Sequence, residues 1–247
     1  MLTKALIRQT LRPKGVLESA LMLVLASNSP RRKKLMALGG WDFSILAAEV
    51  DESVQPGEEP EAYVRRLAEA KARATLSLLD DPASSGVLVV AADTAVVHLD
   101  GAEVGYGVIL GKPTDAAQAG EMLRRLRGRV HQVYTGLALL RPEDGDLSCE
   151  VIVTDVPMRD YEDEEIRAYI ATGDPLDKAG AYAIQHTGFN PVRNLHGCYA
   201  NVMGLPVCHL ARMLARHGVD PQSDLPWQCQ QALDYPCPVY RQALGVG

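Results

Sequence analysis

A chain of 247 residues that is 47% hydrophobic has enough apolar material for a sizeable core, which excludes wholesale disorder. A net charge of −6 argues against a stable nucleic-acid partner, which favours a basic domain with clustered cations. No apolar run approaches the roughly 20 residues of a membrane span. Aromatics make up only 5%, and the apolar mass is Ala, Leu and Val, a balance that favours helices on a sheet over an all-β sandwich. The five cysteines contain no C-x-x-C pair and read as reduced thiols, which points to the cytoplasm.

Residues 1–20 are basic and precede a short apolar run, but no small-residue cleavage site follows. They are expected to form an N-terminal extension. Leu21 to Ala26 is a continuous apolar run bounded by turn formers, the pattern of a buried strand. Ser29 then caps a helix whose first residue is Pro30 and which stops at Gly39-Gly40. Trp41 to Val50 alternates loosely and predicts a second strand, Asp51 to Glu59 a polar loop, and Pro60 the start of a second helix. In that helix Lys71 falls on the same stripe as Val64 and Leu67. A cation on an inner face is costly unless it meets an anion.

Val87 to Ala92 is another apolar strand, ending at Asp93-Thr94; Ala95 to Leu99 continues extended, Asp100-Gly101 turns, and Val108 to Leu110 returns. Asp115 and Gln118 resemble a capping box for a helix reaching Leu126. Val130 to Leu140 and Cys149 to Pro157 read as strands joined by the turn-rich stretch from Pro142 to Asp146. A short helix spans Asp163 to Ala171, a strand ends at Ile184, and a final helix runs from about Val207 to Arg216. From Gly218 the composition turns to Gln, Pro and Asp without periodicity, which reads as a tail over 218–247. Strands and helices alternate along the chain, so the fold class is α/β, with one domain over 21–217. Since neither end shows core periodicity, residues 1–18 and 220–247 are expected to be dispensable; docking across a homodimer is the alternative use for them.

The chemistry concentrates in a few places. Ser27-Asn28-Ser29-Pro30-Arg31-Arg32 is a strand-to-helix transition, and a helix start with two adjacent guanidiniums favours a phosphate. Asp93 stands at the end of an apolar strand, where α/β sheets open their ligand crevices, and can bind a divalent cation or take a proton from water. Glu52 follows the second strand and offers a second carboxylate. Lys71, Lys112 and Lys178 offer cations for a polyphosphate. Each has a plainer reading: a capped helix with a solvated basic turn, a turn-forming Asp, a solvated Glu, surface lysines. Several better-known patterns are excluded. Pro113 follows Gly111-Lys112 where a P-loop needs Ser or Thr, no helix opens after Gly105-Tyr106-Gly107, and there is no H-x-x-x-H pair and no G-x-S-x-G elbow.

The order and wording of these blocks resemble the Maf family of nucleotide pyrophosphatases. The similar stretches are Leu25-Ala26-Ser27-Asn28-Ser29-Pro30-Arg31-Arg32, Tyr63-Val64-Arg65-Arg66-Leu67-Ala68 leading to Lys71-Ala72, Ala92-Asp93-Thr94, and Gly111-Lys112-Pro113-Thr114-Asp115. So are Gly128-Arg129-Val130-His131-Gln132-Val133-Tyr134-Thr135-Gly136, Asp177-Lys178-Ala179-Gly180-Ala181-Tyr182-Ala183-Ile184-Gln185, and Gly197-Cys198-Tyr199-Ala200-Asn201-Val202-Met203-Gly204-Leu205-Pro206. Together they cover about residues 21 to 216.

The resemblance implies a twisted mixed sheet flanked by helices, in two lobes around a nucleotide cleft, like the inosine triphosphate pyrophosphatases. It implies hydrolysis of the α–β phosphoanhydride of a nucleoside triphosphate with Mg2+ or Mn2+. Asp93 would activate water or hold the metal, Glu52 would assist with the metal, and Ser27, Arg32, Lys71, Lys112 and Lys178 would hold phosphates. Arg31, Thr94 and Gln185 match the dTTP/UTP-directed branch; the branch directed at methylated GTP carries other residues there. His186 stands where the family usually has Gly, and Phe189-Asn190-Pro191 is unusual in the loop beyond. The rival reading is an interaction protein of septum formation, which pyrophosphate release in the presence of metal would separate from an enzyme.

Overall fold

Strand β1 (Met22–Leu25) lies between β2 (Phe43–Ile45) and β3 (Val87–His98) and runs parallel to both in the computed structural model, which describes residues 21–80, 86–99 and 107–246. The expected N-terminal extension and the turn at Asp100-Gly101 lie outside those residues. Strand β3 then pairs antiparallel with β5 (Val130–Arg141), and β5 with β6 (Asp146–Pro157). The sheet order among the described residues is β2-β1-β3-β5-β6, with the short β4 (Val108–Leu110) returning beside the end of β3. It is the expected mixed sheet.

Helices cover both faces. Leu88, Val90 and Ala92 of β3 and Leu23 and Leu25 of β1 point into a core built with α1 (Pro30–Ala37), a one-turn helix α5 (Tyr199–Val202) and α6 (Val207–Ala215). The alternate residues Val87, Val89 and Ala91 meet Ala68 and Ala72 of α2 (Pro60–Thr75) on the other face. A separate core packs α3 (Ala116–Leu126) and α4 (Asp163–Ala171) on the far halves of β5 and β6. The long strands β3 and β5 run through both bodies, and the cleft opens between them.

Gly136 shows how closely α2 is seated. A Cβ there would lie 2.3 Å from the Val64 carbonyl oxygen, a backbone atom that cannot swing aside. Gly136→Ala is therefore expected to cost about 1–3 kcal/mol, in the range of overpacked cores. A thermal melt within about 1 °C of wild type would contradict that seating.

Five sequence expectations change. The strand expected to end at Asp93-Thr94 runs on to His98, so Asp93 stands mid-strand, paired with Gly136 of β5. The second strand is three residues long instead of ten, because the chain leaves the edge of the sheet after Ile45. No strand ends at Ile184. Asp174–Asp177 and Ala179–Ala181 are 3-10 turns instead, and the left-handed Gly180 (φ 68°) turns its N–H to the Gly111 carbonyl and not to a ladder. Gln118 completes only half a capping box, since its amide oxygen accepts from Thr114 N rather than Asp115 N.

The largest change is the supposed tail. It folds into α7 (Leu225–Leu233) and α8 (Tyr240–Leu244), with Leu225, Cys229 and Ala243 buried. Leu225 and Cys229 join the core that holds α1 and α6. Backbone and side-chain bonds lock the connection: Gln222 N donates to Gly39 O, Ser223 Oγ to Leu38 O, and Trp41 Nε1 to Asp220 O. The segment lacks a helical period over its length because it is two short helices broken by Pro236 and Pro238.

Candidate active site

The pleat of β3 decides which way its polar pair points. Odd positions face α2 and even positions face α5, so Asp93 turns to α2 and the next residue, Thr94, turns the other way. Helical spacing brings Lys71 of α2 over Asp93: Nζ lies 2.5 Å from Asp93 Oδ1 and 2.6 Å from Glu52 Oε1. The buried-stripe lysine has met its anions. Glu52 is held by α2 as well, since the Tyr63 hydroxyl donates to the Glu52 carbonyl at 2.9 Å and Arg66 donates to Ser53 O at 3.0 Å. Arg66 also forks onto Glu58. Tyr63 is a site residue that reading by residue type missed, although it opened one of the quoted blocks. Its signal was its place two turns before Lys71 on the same helix.

On the opposite side of β3, Arg32 is a hub. Its Nη1 donates to Ser27 Oγ (3.3 Å), Nη2 to Thr94 Oγ1 (3.2 Å) and Nε to the Gly204 carbonyl (2.9 Å). Thr94 in turn shares a hydrogen bond with Thr135. Ser29 caps α1 as expected, accepting from Arg32 N, and Ser27 accepts from Ser29 N. Arg31 is half-buried and lines the cleft beside them.

The far wall carries the other two lysines. The Gly180–Gly111 backbone bond ties their two loops together. Lys112 is exposed, whereas Lys178 is buried and bonded to Asp174 O and Asp177 Oδ1, both at 2.6 Å. Gln185 lines the cleft but is exposed, not buried. The unusual His186 is spent on its own loop: Nδ1 accepts from Phe189 N, and the ring sits against Tyr169 at 4.7 Å. The ten residues expected at the site all line one cleft of about 820 Å³, a size that suits a nucleotide.

The electrostatics are divided. Burial pushes the Asp93 carboxyl above the usual aspartate range, against the pull of Lys71 and Arg32. Burial would also raise Glu52, but Lys71, Lys112 and Arg32 outweigh it and hold that carboxyl below the ordinary glutamate value. Burial lowers Arg32, and Asp93 partly offsets this. Burial, with Asp93 and Glu52 nearby, raises Tyr63 to about 12, so it stays a hydrogen-bond donor at neutral pH. One carboxyl with a raised pKa, one ionised carboxylate and a rim of cations suit a polyphosphate and a base beside it. No group of three or more His, Cys, Asp or Glu among the described residues is arranged to hold a metal by itself.

A family model described as a Maf-like protein matches residues 22–217. A protein named dTTP/UTP pyrophosphatase from Geobacter sulfurreducens is 44% identical over 196 residues, covering 79% of this chain and 96% of that one. One of the same name from Nitratidesulfovibrio vulgaris is 46% identical over 205 residues, with 83% and 91% covered. Among solved structures, the Ham1 protein of Staphylococcus aureus overlaps with a TM-score of 0.38 at 18% identity, over 56% of this chain and 72% of that one.

Proposed function

This chain belongs to the Maf family, and we propose that it is a nucleoside triphosphate pyrophosphatase that hydrolyses dTTP and UTP to the monophosphate and pyrophosphate. The observation that carries the reading is the convergence of Asp93 and Glu52 on one cation, Lys71 Nζ, in a cleft rimmed by Arg32, Lys112 and Lys178. In this reading Ser27, Arg32, Lys112 and Lys178 take the phosphates. Water attacks the α-phosphorus, its proton passes to Asp93, and the bond from the α-phosphorus to the α–β bridging oxygen breaks as pyrophosphate leaves. Lys71 holds the two carboxylates at a fixed separation and screens their repulsion.

A pair of carboxylate oxygens already closed around an ammonium also suits Mg2+ or Mn2+, which takes one or two protein carboxylates and completes its shell with water and phosphate. Asp93 and Glu52 would hold that ion, and it would supply charge stabilisation to the phosphoryl group. No helix among the described residues is long and apolar enough to cross a membrane. Five free thiols and a free nucleotide as substrate suit a cytoplasmic enzyme.

For base selection, Arg31, Thr94 and Gln185 are the proposed readers. Thr94 acts through Arg32 on this reading, while the exposed Gln185 amide is free to pair with the donor and acceptor edge of a uracil-like base. In a panel of about a dozen nucleotides with metal, dTTP and UTP should exceed GTP and ATP by at least about 10-fold in kcat/KM. Gln185→Ala should flatten that ratio and leave residual cleavage. A purine or a methylated guanine nucleotide cleaved fastest would overturn the base assignment, and no pyrophosphate from any nucleotide would overturn the activity.

A further inference from the structure

The family match ends at residue 217, yet the C-terminal segment beyond it makes a contact that leads to the cleft. Tyr235 sits between α7 and α8, and its hydroxyl lies 3.0 Å from the carbonyl oxygens of both Leu195 and Gly197. It also accepts the Gly197 N–H at 3.3 Å, and its ring packs on Tyr199 at 5.4 Å. The loop is trapped from the other side too, since a Cβ on Gly197 would come within 2.6 Å of Thr154 Cγ2.

The next residue, Cys198, caps α5, a helix of four residues. One turn does not persist by its own propensity, so its position is set by what holds its ends and middle. Asn201 fixes the middle, its amide nitrogen lying 3.2, 3.2 and 3.0 Å from Val133 O, Ile152 O and Thr154 Oγ1. The exit leads to Gly204, whose carbonyl receives Arg32 Nε and whose backbone is in the left-handed region (φ 105°). Val202, Met203 and Gly204 form part of the cleft wall.

We propose that Tyr235 is a positioning residue of the nucleotide site. By clamping the entry to α5 it sets where the Gly204 carbonyl meets Arg32, so the C-terminal segment is a working part of the cleft. The inference rests on the phosphate role given to Arg32 above.

The test compares Tyr235→Phe, which keeps the ring and removes only the clamp, with Leu225→Ala, which loosens the same segment at a buried site away from the loop. In Tyr235→Phe the KM for dTTP should rise about 3- to 10-fold, the span of one lost hydrogen bond, with kcat within about 2-fold of wild type. In Leu225→Ala the melting temperature should fall while KM stays put. An activity-free reading accompanies it: hydrogen exchange at the Arg32 Nε–H, followed by 15N NMR, should speed up about 3-fold or more in Tyr235→Phe and not in Leu225→Ala. Unchanged exchange and KM in Tyr235→Phe, or an equal change in both variants, would overturn the proposal. If the wild-type protein releases no pyrophosphate, the functional reading fails, while the exchange measurement still decides the clamp.

Discussion

Asp93→Asn is expected to lower kcat by about 100-fold or more, because it removes the charge that a proton or a metal ion requires. The fold should survive. The amide is nearly isosteric, and Lys71 Nζ keeps its second partner, Glu52 Oε1, at 2.6 Å. A pH profile separates this from simple damage. Asp93 works as a base only when ionised, so the wild-type rate should fall as pH drops through its pKa. Burial raises that pKa in the metal-free cleft and a bound divalent cation would lower it, so the acid limb should move to lower pH as metal is added. In Asp93→Asn that limb should vanish from the residual rate. A variant near wild-type rate, or one that keeps the same acid limb, would remove Asp93 from the mechanism.

Much of this site was legible because its residues obey two periodicities. Lys71 stood on the apolar stripe of a helix, where a cation has to find a carboxylate, and Asp93 interrupted an apolar run, so the pair could be sought together, although the strand runs on past Asp93 to His98. The pleat that sends Asp93 and Thr94 to opposite faces was also implicit in a strand of 12 residues, but only the neighbouring elements say which face is which. That is why Arg32 and Thr94 read as separate substrate groups in the sequence, whereas they are hydrogen-bonded to each other in the fold. The stretch up to Ile184 looked like a strand leading to Gln185 because Ala181 to Ile184 are apolar. Gly180 and Ala181, both at positive φ, make the stretch a turn, and single-residue backbone reversals leave no period to read. His186 drew attention as a departure in wording, yet it serves the loop behind the cleft, which chemistry by residue type could not reveal.

Removing residues 218–247 should cost far more than a tail would. Leu225 is 1% exposed, and burying one such side chain contributes about 1.5–3 kcal/mol. Cys229 and Ala243 are buried beside it, and Leu233, Val239 and Leu244 pack against the same core, so the segment as a whole is worth on the order of 5 kcal/mol. Its loss also strips partners from the domain: the Trp41 indole loses the Asp220 carbonyl, and Leu38 O and Gly39 O lose Ser223 and Gln222. Leaving such groups without partners adds about 1–3 kcal/mol each wherever water cannot reach them. Against a typical total of about 5–15 kcal/mol the deletion is close to the whole margin, so a chain ending at His217 should be insoluble or melt at least about 10 °C lower. The same deletion would also expose Cys198, Ala200, Val207 and Cys208, which face Cys229 and Leu233 of α7, and such an apolar face invites association, so the surviving fraction should elute as aggregate in size-exclusion chromatography. A monodisperse truncated chain melting within about 3 °C of the full chain would show that α7 and α8 rest on the domain without supporting it.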